Sequence, residues 1–322
     1  MKKKNLNWFK AILFGCAMLL FSACEDSNDV VGTGEAEFEI TDSPSDDAAV
    51  KGVFVTIADI KVDGKSVSGF SKQTIDLKAY QDGKTKLLGT TSLDAKTYNT
   101  LTLVLDAGAD ASDNAPGCYV QTTDDVKYKL SNTATGQLEV IINNTWKVSN
   151  GVKSKFIIDF DLRKSIRRSD DPSVRYTFVS DNDLHSSVRL ITHSNAGSIE
   201  GSYEDQAGSG MEKVIVYAYK KGAFNASAEI QPQSEDGIVF KNAIASAEVR
   251  AKLTGNVYTF AFLEEGEYEL HFAGYKEDSG TGRFAFQSML ESETTVDGSV
   301  DNVVTIEGGI KIAITSKIIG ML

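Results

Sequence analysis

The stretch Glu35-Ala36-Glu37-Phe38-Glu39-Ile40 decides the fold class. Three glutamates alternate with Ala36, Phe38 and Ile40. A strand points successive side chains to opposite faces, so it sorts this run into one wet face and one apolar face. Working outward, Val53, Val55 and Ile57 share a face of the next strand. Val62-Asp63-Gly64-Lys65 then supplies the Asp-Gly pair that takes the positive φ angles of a type I′ hairpin turn. Period-two segments continue at 75–77, 98–105, 119–121, 126–130, 138–142, 156–162, 175–179 and 187–192, separated by short runs of Gly, Asn, Asp and Ser. After His193-Ser194-Asn195-Ala196-Gly197 a second series starts, at 198–203, 214–219, 257–262, 268–272, 284–290, 303–306 and 310–315. No amphipathic helical stripe interrupts either series, although one short helix is expected at 92–97 or 162–167. The expectation is an all-β chain of two tandem antiparallel β-sandwich domains behind a lipidated N-terminal tether. The domains are residues 35–193 and 196–322, each long enough to bury its own core.

The start of the chain carries an address. Lys2, Lys3, Lys4 and Lys10 precede an uncharged segment from Ala11 to Ala23, and Ser22-Ala23 then meets Cys24. A helical span of a bilayer needs roughly 20 apolar residues, so this segment has the length of a secretory signal core instead. Leu20-Phe21-Ser22-Ala23-Cys24 resembles a bacterial lipobox. The resemblance implies cleavage after residue 23 and acylation of Cys24, whose chains contribute about 0.8 kcal/mol per buried CH₂ and would anchor the protein to outer-membrane lipid. Glu25-Asp26-Ser27-Asn28-Asp29 opens an acidic tether over 24–34 and resembles the surface-export signal of Bacteroidetes lipoproteins. It implies a module on the outer face of the cell.

Composition narrows the function classes. Hydrophobic residues make up 41% and charged residues 24% of the 322, a globular balance. Removing residues 1–23 takes away four lysines and no acid, leaving 29 basic against 45 acidic residues, a formal −16. Such a chain repels nucleic acid, whose binding rests on many Lys/Arg–phosphate contacts. The basic run Arg163-Lys164-Ser165-Ile166-Arg167-Arg168 lies among Asp159, Asp161, Asp170 and Asp171, and internal pairing is expected there. Three cysteines and three histidines support neither a disulfide scaffold nor a histidine-rich metal centre.

Four groups of residues are candidates for chemistry. Asp42, Asp46 and Asp47 fall in one turn and could give part of an oxygen shell for calcium, against ordinary Asx-turn bonding. Asp159 and Asp161 point to one face of a strand. They are therefore neighbours on one wall rather than an acid and a base across a sugar, and pairing with Arg163, Lys164 or Arg167 is expected. Trp146, Tyr119 and Tyr128 could form an aromatic platform for a glycan, Trp146 following the loop-like Asn143-Asn144-Thr145. Cys118, left without a partner, is expected to be a buried thiol. No G-x-S-x-G elbow holds a nucleophilic serine, so no enzyme activity is expected.

Two further resemblances cover most of the chain. Residues 38–47, 50–57, 75–77, 93–103 and 158–166 resemble, in order, the bacterial lipoprotein family of domain of unknown function 4382. Gly197-Ser198-Ile199-Glu200-Gly201, Val214-Ile215-Val216-Tyr217-Ala218-Tyr219 and the segment 258–270 resemble the carboxypeptidase-regulatory or transthyretin-like β-sandwich group, whose modules are spacers or adhesive stalks. Together they imply a non-catalytic envelope lipoprotein, a surface module that binds a glycan or a surface protein, or alternatively an accessory subunit of an outer-membrane complex.

Overall fold

The Glu35–Ile40 alternation becomes the strand Thr33–Ser43, central in a four-stranded sheet. Its even-numbered residues Ala36, Phe38 and Ile40 are buried, and its glutamates face outward. The neighbouring strand Lys153–Asp161 runs parallel to it and supplies cations at matching register. Lys153 Nζ lies 2.9 Å from Glu35 and 2.8 Å from Glu37, and Lys155 Nζ lies 3.4 Å from Glu37 and 2.8 Å from Glu39. The wet face is therefore a ladder of paired charges. The computed structural model describes residues 32–43, 49–130, 136–169, 171, 174–231, 238–279 and 283–322.

A second, seven-stranded sheet built around Val50–Val62, Thr97–Asp106 and Gln137–Lys147 packs on the apolar face of the first. Phe38, Phe156 and Phe160 meet Val53, Val55, Leu101, Leu103, Val140 and Trp146 in one core. The Asp63-Gly64 turn has φ of 45° and 77°, as the type I′ reading requires. Asp63 also accepts from Asn99 and Thr100 backbone N–H groups at 3.0 and 3.1 Å, pinning the turn to the adjacent strand.

Residues 196–322 form a single ten-stranded sheet. Lys213–Lys220 pairs with Ala245–Glu248, and Gly255–Glu264 pairs with Arg250–Lys252. Those two short partners are one continuous stretch of chain, with Val249 N donating to Val214 O at 2.9 Å between them. The sheet thus returns on itself and is nearly a barrel, filled by Ile199, Tyr258, Phe260, Tyr268, Phe272 and Ile314. Val214 and Val216 point into the barrel, while Ile215, Tyr217 and Tyr219 point outward against Phe240 and Ala243. Burial on both faces explains why this strand reads as an unbroken apolar run.

Two expectations are corrected. The chain is mostly β in several sheets, but the second half is not a plain sandwich, because one strand stretch serves both ends of its sheet. The pairing is not purely antiparallel: Thr33–Ser43 with Lys153–Asp161 and Ala196–Asp205 with Lys311–Met321 are parallel, each joining an early strand to a late one. Residues 92–97 end one strand and begin the next, whereas 162–167 does hold a one-turn helix, Leu162–Ser165. The 194–196 boundary falls at the 3-10 turn His193–Asn195.

Gly201 fits the barrel through what it lacks. A Cβ there would stand 2.0 Å from the Tyr258 ring, its register partner across the strands. Tyr258 therefore covers the glycine and reaches Ser316 Oγ at 2.7 Å.

Candidate functional site

The paired aspartates are structural in their surroundings. Asp159 and Asp161 end the strand Lys153–Asp161, and both are buried. Asp161 Oδ1 accepts from the Arg163 backbone N–H at 3.1 Å and caps the one-turn helix. Its Oδ2 lies 3.3 Å from both Arg163 Nη2 and Lys164 Nζ. Burial opposes its charge, but Arg163 and Lys164 outweigh burial and hold its pKa below the ordinary value. Asp159 instead pairs with Arg189, at 2.7 Å to Nε and 2.6 Å to Nη2. Arg189 is its cross-strand partner, a relation invisible without the register.

The same basic run ties the two halves of the chain together. Arg163 Nη1 donates to Val239 O at 2.7 Å and Nη2 to Phe240 O at 3.2 Å, with the guanidinium 5.2 Å from the Tyr217 ring. Lys164 Nζ donates to Ala243 O at 3.0 Å. Lys241 meets Asp183 at 2.6 Å, and Arg250 pairs with Asp82 and donates to Gln81 Oε1 at 3.1 Å. Ile157, Ile191 and Ala196 add a small apolar contact with Phe262.

Of the calcium candidates, Asp46 and Asp47 lie outside the described residues. Asp42 is buried and accepts from Gln81 Nε2 at 2.9 Å and from Leu162 N at 3.2 Å. Burial, with Asp161 and Asp159 nearby, pushes its pKa well above the usual carboxylate value. Among the described residues no group of three or more His, Cys, Asp or Glu side chains could hold a metal.

The aromatic platform is also corrected. Trp146 lies within the strand Gln137–Lys147, not in a loop, and is 4% exposed. Its ring stacks on Tyr98 at 4.8 Å and meets Phe156 at 4.6 Å. Tyr119 stacks on Phe54 at 4.6 Å, and Tyr128 packs on Tyr176 at 5.6 Å, so the three rings fill separate contacts. Alternation places Trp146 on the core face with Leu138, Val140 and Ile142, which outweighs the polar residues before it. Cys118 is a buried thiol, as expected; it donates to Asp106 O at 3.4 Å, and burial pushes its pKa up to about 12. Cys24 lies outside the described residues.

Two open clefts lie among the described residues. One, of about 720 Å³, lies on the barrel between Lys252 and Asp297, over Ser202 and Thr315, whose hydroxyls bond each other at 3.0 Å. The other, of about 490 Å³, lies where the strand Gln137–Lys147, the helix Asp181–Ser186 and the strand Val188–Thr192 meet Glu264 of the second half. Both fall within the roughly 300–1,000 Å³ of small-ligand sites. In the second cleft Asn144 Nδ2 donates to Leu190 O at 2.6 Å, and His185 Nε2 bonds Glu139 O at 2.9 Å. Asn143, Asn182 and Glu264 also line it, and among the described residues their side chains make no hydrogen bond or ion pair. Asn182, His185 and Glu264 were not singled out from sequence. The only signal was Ser180-Asp181 with Asp183 behind it, an N-terminal helix pattern that places Asn182 and His185 on one turn.

Comparison with known families gives one class assignment: residues 33–180 match the family described as domain of unknown function (DUF4382), and that part of the chain carries this domain. No curated protein matches the chain. Among solved structures it is similar to the Bacillus anthracis TIE protein, at 14% identity over 90% of this chain with a TM-score of 0.18, and spans 34% of that protein's length. It is also similar to BcpA, the major pilin subunit of Bacillus cereus (9% identity, 89% of this chain, 71% of that one, TM-score 0.21). GBS52, the minor pilin of Streptococcus agalactiae, covers 88% of this chain and 96% of its own at 12% identity and a TM-score of 0.20. These scores are too low to place the chain in any of the three folds.

Proposed function

We propose that this chain is a non-catalytic lipoprotein, anchored to the outer membrane through acylated Cys24, that displays a β-rich ligand-binding or adhesion module outside the cell. The non-catalytic part rests on one observation above the others: Asp159 and Asp161, the paired carboxylates nearest to an acid–base arrangement, are each buried against a cation. The address rests on the lysines before residue 11, the apolar run to Ala23 and the acids behind Cys24. Residues 35–193 and 196–322 form two domains joined by the Arg163, Lys164 and Arg250 contacts. Treating intact cells with a protease too large to cross the outer membrane tests the reading. Loss of the module without lysis supports it, and protection until lysis refutes surface display.

A further inference from the structure

We infer that the cleft bounded by Asn143, Asn182, His185 and Glu264 binds a neutral saccharide. The inference rests on the ligand-binding reading above and names the site and the ligand class.

The donor set points to hydroxyls. A side-chain amide both donates and accepts, and so does a sugar hydroxyl; two unbonded amides entering from different elements can each span a hydroxyl pair. Asn143 enters from an edge strand and Asn182 from the helix opposite, which sets them on two walls of one cleft. His185 bonds Glu139 O through Nε2, so with that nitrogen donating, Nδ1 is left as an acceptor. Ile141 adds an aliphatic surface suited to the C–H face of a ring. The Glu264 carboxylate, unbonded and exposed, closes the side contributed by the second half. Small-molecule sites favour such junctions.

The same geometry excludes the competitors. Anionic ligands such as phosphate or sialic acid need cations. The one arginine in the cleft, Arg189, has its charge paired by Asp159 through Nε and Nη2, its unpartnered Nη1 is buried, and Glu264 adds negative charge. An extended peptide would have to pair with the free edge of Gln137–Lys147 or of Val188–Thr192. Strands need about 4.8 Å between neighbours, and Asn144 already bridges the two edges through Leu190 O at 2.6 Å, leaving no lane between them.

The test uses the lipid-free mature chain, residues 24–322 with Cys24→Ser, labelled with ¹⁵N. It is titrated with galactose, N-acetylglucosamine, lactose, sialyllactose and an unrelated extended decapeptide, each to about 10 mM, a range that reaches weak millimolar binding. The expected result is a saturable shift of the Asn143 and Asn182 side-chain amides with at least one neutral saccharide. Binding should weaken about ten-fold or more in the double variant Asn143→Ala, Asn182→Ala, since each lost hydrogen bond is worth a few-fold. Both residues are exposed, so the variant keeps the fold, which unchanged shifts elsewhere would verify. Response to sialyllactose or peptide alone, no response to any sugar, or binding that the double variant leaves intact would each overturn the site. A protease-accessible module failing this titration loses the site but keeps the surface reading; a protected module that passes it keeps the site alone.

Discussion

Replacing Arg163 with alanine is the sharpest test of how the two halves are held. Its side chain is 3% exposed and donates to Val239 O at 2.7 Å and Phe240 O at 3.2 Å. A hydrogen bond to a charged group contributes roughly 1.5–3 kcal/mol, so the two carbonyls together set the scale at roughly 3–6 kcal/mol. Asp161 keeps Lys164 at 3.3 Å, so no buried charge is orphaned, and the lower end applies. The expected loss is about 3 kcal/mol, which for a domain of this size lowers Tm by roughly 6–12 °C. Arg163→Lys should recover less than half of that, because an ammonium cannot reach both carbonyls and the carboxylate with the planar fork of a guanidinium. The assay is thermal unfolding of residues 24–322 followed by fluorescence of Trp146, the one tryptophan in that span. A drop below about 2 °C for Arg163→Ala would mean the guanidinium carries no weight in the seam.

The remaining predictions test other links. Gly201→Val should lower stability by about 3 kcal/mol or more, because a Cβ would meet the Tyr258 ring at 2.0 Å; if the seam couples the halves, Trp146 reports the same shift although it lies in the other half, and separate transitions would disprove the coupling. Cys118, sole cysteine of the Cys24→Ser chain, should resist a thiol reagent at pH 8 until the chain is unfolded, and stoichiometric labelling of the native protein would contradict the buried thiol with its pKa near 12. Burial raises the Asp42 pKa in the folded state, so its contribution is full below about pH 3.8 and is lost as pH climbs through the folded value. Asp42→Asn should therefore gain on the parent from pH 4 to pH 8, and parallel Tm curves would refute the assignment. Glu37 has the opposite sign: its hydrogen bond to Lys153 lowers its pKa, so its stabilisation is full above about pH 4.5 and fades as pH falls. Glu37→Gln should flatten the acid limb of the stability curve, and an unchanged limb would count against the ladder.

The alternation at Glu35–Ile40, the Asp63-Gly64 turn and the run at 214–219 were legible because each is set by local geometry: side-chain direction along a strand, the φ angles of a two-residue turn, and burial on one or both faces. The buried thiol of Cys118 and the Arg163 and Lys164 pairing with Asp161 were within reach for the same reason, since the partners lie a few residues apart or the residue is small and apolar in context. Trp146 was misplaced because the polar residues before it suggested a loop, when parity along the strand sends its ring inward. The cleft was missed because Asn143, Asn182 and Glu264 come from three elements far apart in the chain, and no spacing rule joins them.

The sequence by itself determined that the chain is built of strands, where its wet and dry faces lie, and the acidic balance of its charge. These follow from properties of neighbouring residues and from summed charge. Only the tertiary structure decided that Arg189 is the partner of Asp159, that the 245–252 stretch brings the second sheet back on itself, and that two parallel pairings join early strands to late ones. It also decided that Arg163 and Lys164 reach carbonyls nearly eighty residues away. Those relations depend on register and on long-range closure, and the twofold period that reveals a strand is the same whichever neighbour that strand takes.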